Sequence, residues 1–136
     1  MKAALLTTFV SLCYTAFSCS CFFEELNITY FNDYQVIISG EVCNVKPIVV
    51  DEETMLEAEI EVDLIYRNVN SLIRNKIVLI KTESDGAACG FTFIPGKDVL
   101  IFGYEDMSTN LCTHSTYIAE YDKQLKILNE IVKGQK

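Results

Sequence analysis

The sequence predicts a mainly β fold, in which five strands form a small closed or nearly closed barrel with a short helix at each end. Three features support this prediction: one long run of alternating residues, several short β-branched segments separated by turn residues, and amphipathic patterns at both ends of the domain. The chain has 136 residues, of which 50% are hydrophobic, so it can build one domain with a sizeable core.

Residues 1–18 have the pattern of an export signal. Lys2 gives a short positive start, residues 3–14 form an apolar stretch, and Ala16-Phe17-Ser18 places small residues at the two positions that signal peptidase inspects. The stretch is too short to span a bilayer as a permanent helix. We therefore expect cleavage after Ser18 and a secreted domain that comprises residues 19–136.

Cys19 also allows a lipoprotein interpretation, in which this cysteine is diacylated and anchored to a membrane. Phe17 and the absence of Leu at position 16 fit the lipoprotein motif poorly. We therefore expect a secreted, extracellular protein, which in a bacterial host would be periplasmic or lipid-anchored. A membrane is an expected partner only if Cys19 is lipidated.

The first part of the domain contains a helical pattern followed by a strand pattern. Residues 22–33 carry four apolar side chains at helical spacing, namely Phe23, Leu26, Tyr30 and Phe31. This spacing predicts a short helix on the core. Residues 34–45 are rich in β-branched side chains and predict a strand with a bulge or bend at Gly40. Lys46-Pro47 then predicts a break, and residues 51–53 predict an acidic turn.

Residues 55–66 carry the clearest periodicity in the sequence. Apolar side chains occupy every second position: Leu56, Ala58, Ile60, Val62, Leu64 and Tyr66. Carboxylates alternate with them at positions 57, 59, 61 and 63. Because successive side chains of a strand point to opposite faces, this pattern predicts a long strand with one buried face and one acidic, solvated face.

The second half of the domain continues with short strands. Residues 76–83 and 98–104 predict the third and fourth strands, separated by turns at Ser84-Asp85-Gly86 and Pro95-Gly96. Residues 113–119 predict a fifth strand. Residues 121–132 predict a closing amphipathic helix, with Leu125, Leu128 and Val132 on one face.

Charge and motifs disfavour several classes of function. The net charge is −8, with 11 basic and 19 acidic residues, which disfavours binding to nucleic acid or to an anionic membrane. The sequence has no nucleophile-elbow serine motif, no phosphate-binding glycine loop and no His-Glu-x-x-His. Its single histidine, His114, lacks a partner in a catalytic motif and is expected to be exposed. We predict that the protein is not an enzyme and has no cofactor of its own.

The cysteines predict a disulfide framework. After removal of the signal five remain: Cys19, Cys21, Cys43, Cys89 and Cys112. Five cysteines form at most two bridges, in about 15 arrangements. Cys19 and Cys21 are too close in sequence to pair without strain, so each should reach a distant partner, with Cys89 and Cys112 as the candidates. Cys43 is then expected to be an unpaired, buried thiol. A zinc site is the competing interpretation, for which Cys-x-Cys without a second close pair gives weak support.

Three motifs in this order resemble the netrin-like domain of the tissue inhibitors of metalloproteinases. They are Cys19-Ser20-Cys21 directly after the signal, Cys89-Gly90-Phe91 followed by FIPGKDVLI at residues 93–101, and Asn110-Leu111-Cys112 after the fourth strand. Short bacterial members of the group look especially similar, because they also end soon after the last cysteine. The likeness covers essentially the whole chain after the signal.

The resemblance implies an OB-type barrel with the bridges Cys19–Cys89 and Cys21–Cys112. It also implies that the α-amino and carbonyl groups of Cys19 chelate the catalytic zinc of a target protease. This shared zinc is the only metal that the resemblance implies for the protein. The inhibitory ridge would consist of Ser20, Cys21 and Phe22, together with the loop Asp85, Gly86, Ala87 and Ala88.

Two functions follow as expectations from the sequence. The first is a secreted metalloendopeptidase inhibitor whose partner is a zinc metalloproteinase. The alternative is a non-inhibitory, netrin-like interaction module that binds another extracellular protein. A free amine on Cys19 distinguishes them, because only the inhibitor needs it.

Overall fold

The computed structural model describes residues 19–84, 89–118 and 122–135. The chain forms α1 (Ile28–Asp33), β1 (Val36–Val50), β2 (Glu53–Asn68), a 3₁₀ turn (Val69–Ser71), β3 (Ile77–Glu83), β4 (Asp98–Gly103), β5 (Thr116–Tyr117) and α2 (Asp122–Gly134). The predicted signal (residues 1–18), the loop 85–88 and the predicted start of the last helix at position 121 lie outside the described residues. No helix in the described ranges is long and apolar enough to cross a membrane.

The five strands form one antiparallel sheet in the order β3-β2-β1-β4-β5. The predicted mainly β class with two short helices is therefore confirmed. β3 and β5, at the two edges, share no ladder in the described chain, so the sheet is not closed into a barrel. One parallel bridge joins β3 to the segment after β4: the Lys81 N–H donates to the Met107 carbonyl at 2.9 Å, and the Thr109 N–H donates to the Lys81 carbonyl at 2.9 Å.

β1 and β2 make a hairpin that is longer than the sequence predicts. β1 runs to Val50 through the expected break at Pro47. Beyond Glu41 it has lost β4 as a neighbour, and a proline is tolerated on such an edge because no ladder bond there needs its missing N–H. Asp51 and Glu52 then close the hairpin with positive φ angles of 50° and 69°, as a type I′ turn requires.

The first helix is shorter than the predicted range 22–33. It begins at Ile28 because the Asn27 side chain caps it: the Asn27 Oδ1 accepts the N–H groups of Thr29 and Tyr30 at 2.9 and 3.2 Å. Residues 19–26 before it have no regular secondary structure. The fifth strand is also shorter than the predicted range 113–119. The hydroxyls of Thr113 and Ser115 hydrogen-bond to each other and to Thr109, and such local bonds compete with strand pairing.

The core has two parts, one on each face of the sheet. One is formed mainly by strand residues and includes Val36, Ile38, Ala58, Ile60, Phe91 and Ile101. The other lies under the helices and includes Leu26, Phe31, Ile37, Leu100, Phe102 and Leu128. The first part of β1, residues 36–40, and β4 after Asp98 are thus buried on both faces. The second part joins the N-terminal segment to α2.

The alternation predicted for residues 55–66 holds only in the middle of β2. Ala58, Ile60 and Val62 are buried as predicted, but Leu64 is 53% exposed. The β1–β2 register shifts between Ser39 and Gly40, where Asp63 is the extra residue on β2. This bulge changes the face on which the following side chains lie, so the prediction that Leu64 is buried was wrong.

Gly40 is required where β1 passes closest to β2, and we expect Gly40→Ala to lower the free energy of unfolding by about 2–3 kcal/mol. A Cβ at Gly40 would lie 2.3 Å from the carbonyl oxygen of Glu61 and 2.9 Å from the Cγ2 of Ile60. Urea denaturation measures the change. The matched control is Gly134→Ala, whose Cβ meets nothing within 4 Å. Equal stability of the two variants would contradict the close approach.

Candidate functional site

The N-terminal arm, defined here as residues 19–26, is covalently fixed to two separate loops. Disulfides join Cys19 to Cys89 and Cys21 to Cys112, with Cα–Cα distances of 5.2 and 5.1 Å. These are the two pairs that the resemblance implies. The bridges lie side by side, because the Sγ of Cys19 is 3.7 Å from that of Cys21 and 3.6 Å from that of Cys112. The arm is therefore attached at two adjacent points near its start.

Noncovalent contacts fix the rest of the arm. The Nε2 of His114 donates to the carbonyl oxygen of Glu24 at 3.0 Å, and the carboxylate of Glu25 pairs with Lys123 on α2 at 2.8 Å. Leu26 is buried in the core. The arm is thus held at both ends, by disulfides at Cys19 and Cys21 and by these contacts at residues 24–26.

His114 is not the exposed residue that the sequence predicts. It is half-buried, and its ring lies 5.3 Å from that of Tyr30, 5.9 Å from that of Tyr34 and 5.6 Å from that of Phe102. Its Nδ1 accepts a hydrogen bond from the hydroxyl of Tyr34 at 2.9 Å, because Nε2 carries the ring proton and donates it in the hydrogen bond to the Glu24 carbonyl. Both ring nitrogens are engaged, so His114 positions the arm. No sequence pattern indicates this role, because the partner groups are 80 and 90 residues away.

The exposed part of the arm coincides with part of the predicted ridge. Cys19 and Cys21 are half-buried, while Ser20 and Phe22 face solvent, Phe22 with 89% of its surface exposed. Phe23 is also exposed, at 62%, although its spacing predicted a helical, core-facing position. The other predicted ridge residues, Asp85, Gly86, Ala87 and Ala88, lie outside the described residues.

A groove of about 720 Å³ lies beside residues 23–26 of the arm, and residues 111–117 and α2 also line it. Its apolar walls are formed by Phe23, Leu26, Phe91, Leu111, Tyr117 and Ile127. His114 and Gln124 are among its polar groups, and the Gln124 side chain donates to the His114 carbonyl at 3.0 Å. The arm therefore borders an apolar groove on one side and solvent on the other.

Cys43 is unpaired but exposed, so the prediction of a buried thiol was wrong. It follows the buried Val42 and lies where the β1–β2 register shifts between Val42 and Asn44. The side chain at this irregular position points away from the core although the strand around it is apolar.

Tyr34 makes the stability of this region sensitive to high pH. Burial raises the pKa of Tyr34 to about 12 from an ordinary value of 10.0, against a smaller lowering effect of a hydrogen bond with the backbone of His114. The folded state therefore keeps the Tyr34 proton between pH 10 and 12, where the unfolded chain loses it. Its contribution to stability is complete below pH 10 and is lost as the pH rises toward 12.

We expect this loss to amount to about 1–2 kcal/mol, after allowing for solvent screening at the hydroxyl. Urea denaturation of the protein and of Tyr34→Phe, below pH 10 and between pH 10 and 12, measures this loss of unfolding free energy. The variant should show a smaller fall in unfolding free energy over this range. Parallel pH profiles for the two proteins would contradict the assignment.

Comparisons with known proteins give no family. No protein-family model matches the chain, and no curated protein matches it. The motifs, the disulfides and the geometry of the arm are therefore the features that bear on function.

Proposed function

We propose that the protein is a secreted inhibitor of zinc metalloproteinases, similar to the tissue inhibitors of metalloproteinases, which acts through Cys19 after residues 1–18 are removed. The observation that carries the proposal is the fixed N-terminal arm. Two adjacent disulfides tie Cys19 and Cys21 down, while Ser20 and Phe22 remain exposed.

An OB-type barrel is part of this proposal. The strand order β3-β2-β1-β4-β5 brings the long first strand between the second and the fourth. The parallel bridge from Lys81 to Ser108 brings the edge strand β3 toward the chain that follows β4. Both features are compatible with a partly open, five-stranded barrel.

The proposed chemistry is chelation by backbone groups. A catalytic zinc has three protein ligands and one open position, usually occupied by water. The α-amino nitrogen and the carbonyl oxygen of Cys19 can displace that water and close a five-membered ring on the metal. The amine must be neutral to bind. An α-amino group ordinarily has a pKa of about 7.7–8.0, so its deprotonation costs little free energy near neutral pH.

Fixing the arm lowers the cost of binding. A free N-terminus would lose conformational freedom when it enters a protease cleft, whereas this arm has already lost it on folding. By the resemblance, Ser20 enters the pocket next to the zinc and Cys21 and Phe22 follow the cleft. The loop 85–88 would contact the other side.

The test compares two forms of the exported protein against a panel of zinc endopeptidases. One begins at Cys19, and the other carries a single Ala before Cys19, which converts the chelating amine into a peptide nitrogen. We expect inhibition by the first form and inhibition at least about 100-fold weaker for the second, a loss of about 2.7 kcal/mol. Equal inhibition by the two forms would refute chelation. A single Ala added after Lys136 is the matched control and should change nothing.

A second candidate function is a netrin-like interaction module that needs no free amine. Large apolar side chains are exposed on β2 and β3: Leu64 at 53%, Ile65 at 50%, Ile77 at 52% and Leu79 at 44%. These residues lie away from the arm in the sheet and could contact another extracellular protein. If this candidate is right, an Ala before Cys19 leaves partner binding unchanged, whereas Ile77→Ser and Leu79→Ser weaken it.

A further inference from the structure

The two disulfides place sulfur atoms in a single compact cluster. The Sγ atoms of Cys19, Cys21 and Cys112 all lie within 4.8 Å of one another. The fourth sulfur, that of Cys89, lies outside this group but is bonded to the sulfur of Cys19. In the oxidised protein these atoms are covalently paired and offer no thiolate to a metal.

The spacing of sulfurs from different disulfides fits a tetrahedral zinc site. A Zn–S distance of about 2.3 Å places the four sulfurs of a tetrahedral site about 3.8 Å apart. The Sγ of Cys19 is already 3.7 Å from that of Cys21 and 3.6 Å from that of Cys112. The bonded sulfurs, about 2.0 Å apart in any disulfide, must separate, and the Cys89 sulfur must approach those of Cys21 and Cys112 to complete the tetrahedron.

Contacts other than the disulfides hold the four cysteine positions together. The Leu111 N–H donates to the Cys89 carbonyl at 2.7 Å, which joins the two loops that carry Cys89 and Cys112. His114 and Lys123 hold Glu24 and Glu25 of the arm. Loss of the disulfides therefore leaves the arm held at Glu24 and Glu25, three residues after Cys21, and leaves the loops of Cys89 and Cys112 joined to each other.

We propose that the reduced protein binds one Zn²⁺ ion through the thiolates of Cys19, Cys21, Cys89 and Cys112. Each disulfide gains two electrons and two protons, either from two thiols, which become a disulfide, or from a phosphine and a water molecule, which become the phosphine oxide. Zinc then replaces the four thiol protons, which are released to solvent. One metal ion takes the place of two covalent bridges and keeps the arm attached in a reducing medium. This inference is independent of protease inhibition, because it uses the side chains and not the amine of Cys19.

The test is a metal titration of the exported protein, reduced with a phosphine in the absence of oxygen. Co²⁺ is the probe, since tetrahedral thiolate sites give it a sulfur-to-metal charge-transfer band and strong visible bands. We expect one equivalent of Co²⁺ to bind, and one equivalent of Zn²⁺ to displace it. The oxidised protein should bind neither.

Two variants separate the cluster from other thiols. Cys43→Ser removes the exposed free thiol and should leave the stoichiometry and the bands unchanged. Cys112→Ser removes one ligand and should weaken binding about 100-fold, since a structural zinc site depends on all its ligands together. The proposal is overturned if the reduced protein shows no thiolate bands, whether folded or unfolded, or if Cys112→Ser binds as tightly as the unsubstituted protein.

Discussion

Replacing both Cys21 and Cys112 by Ala is expected to lower the free energy of unfolding by about 4 kcal/mol. The two residues are 91 positions apart, so the bridge closes a long loop and removes much conformational freedom from the unfolded chain. A small domain is stable by only about 5–15 kcal/mol, so this loss is a large part of the total. Both cysteines must be replaced, because a single remaining thiol would lie within 4 Å of the Cys19 sulfur and could exchange with its disulfide.

The matched control for this pair is Cys43→Ala. Cys43 is free and exposed, and its replacement should change the unfolding free energy by less than about 0.5 kcal/mol. Denaturant unfolding of the oxidised proteins measures both values. A double variant that is as stable as the control would mean that the bridge does not hold the arm to the domain in solution.

Phe102→Ala is expected to lower the free energy of unfolding by about 3–5 kcal/mol. Phe102 has no exposed surface and packs edge-on against Tyr34, with ring centroids 5.1 Å apart. It also contacts His114, the residue that bonds to the arm. Truncation leaves a cavity where β4 meets the arm and the helices, and cavities of this kind do not collapse fully.

Phe22→Ala is the matched control for Phe102→Ala. Phe22 is 89% exposed, so its truncation should leave the unfolding free energy unchanged within about 0.5 kcal/mol. The same variant is useful in the inhibition assay, since the proposal places Phe22 in the protease cleft. If Phe102→Ala costs no more than Phe22→Ala, the second part of the core is not packed as described.

The strands were predictable because their signal is local. The alternation around Ala58, Ile60 and Val62 follows directly from the two-residue period of a strand. The failures lie where a contact distant in sequence or an irregular register intervenes. The bulge at Asp63 exposed Leu64, and the loss of β4 as a neighbour let β1 continue through Pro47.

The site was only partly predictable, for the same reason. Cysteine spacing disfavoured a bridge between Cys19 and Cys21 and made Cys89 and Cys112 the candidate partners, but which cysteine pairs with which came from the resemblance. The role of His114 depends on Tyr34 and on the Glu24 carbonyl, which are distant in the chain. A backbone carbonyl has no sequence signature, so no pattern could have assigned that contact.

The most direct test of the central claim, a free chelating amine on Cys19, is the intact mass and N-terminal residue of the exported protein. They should be determined before and after reduction. We expect a chain that starts at unmodified Cys19 and is four hydrogens lighter before reduction, two for each disulfide. A diacylated Cys19, or cleavage at another position, would contradict the chelation mechanism and leave the netrin-like interaction module as the better account.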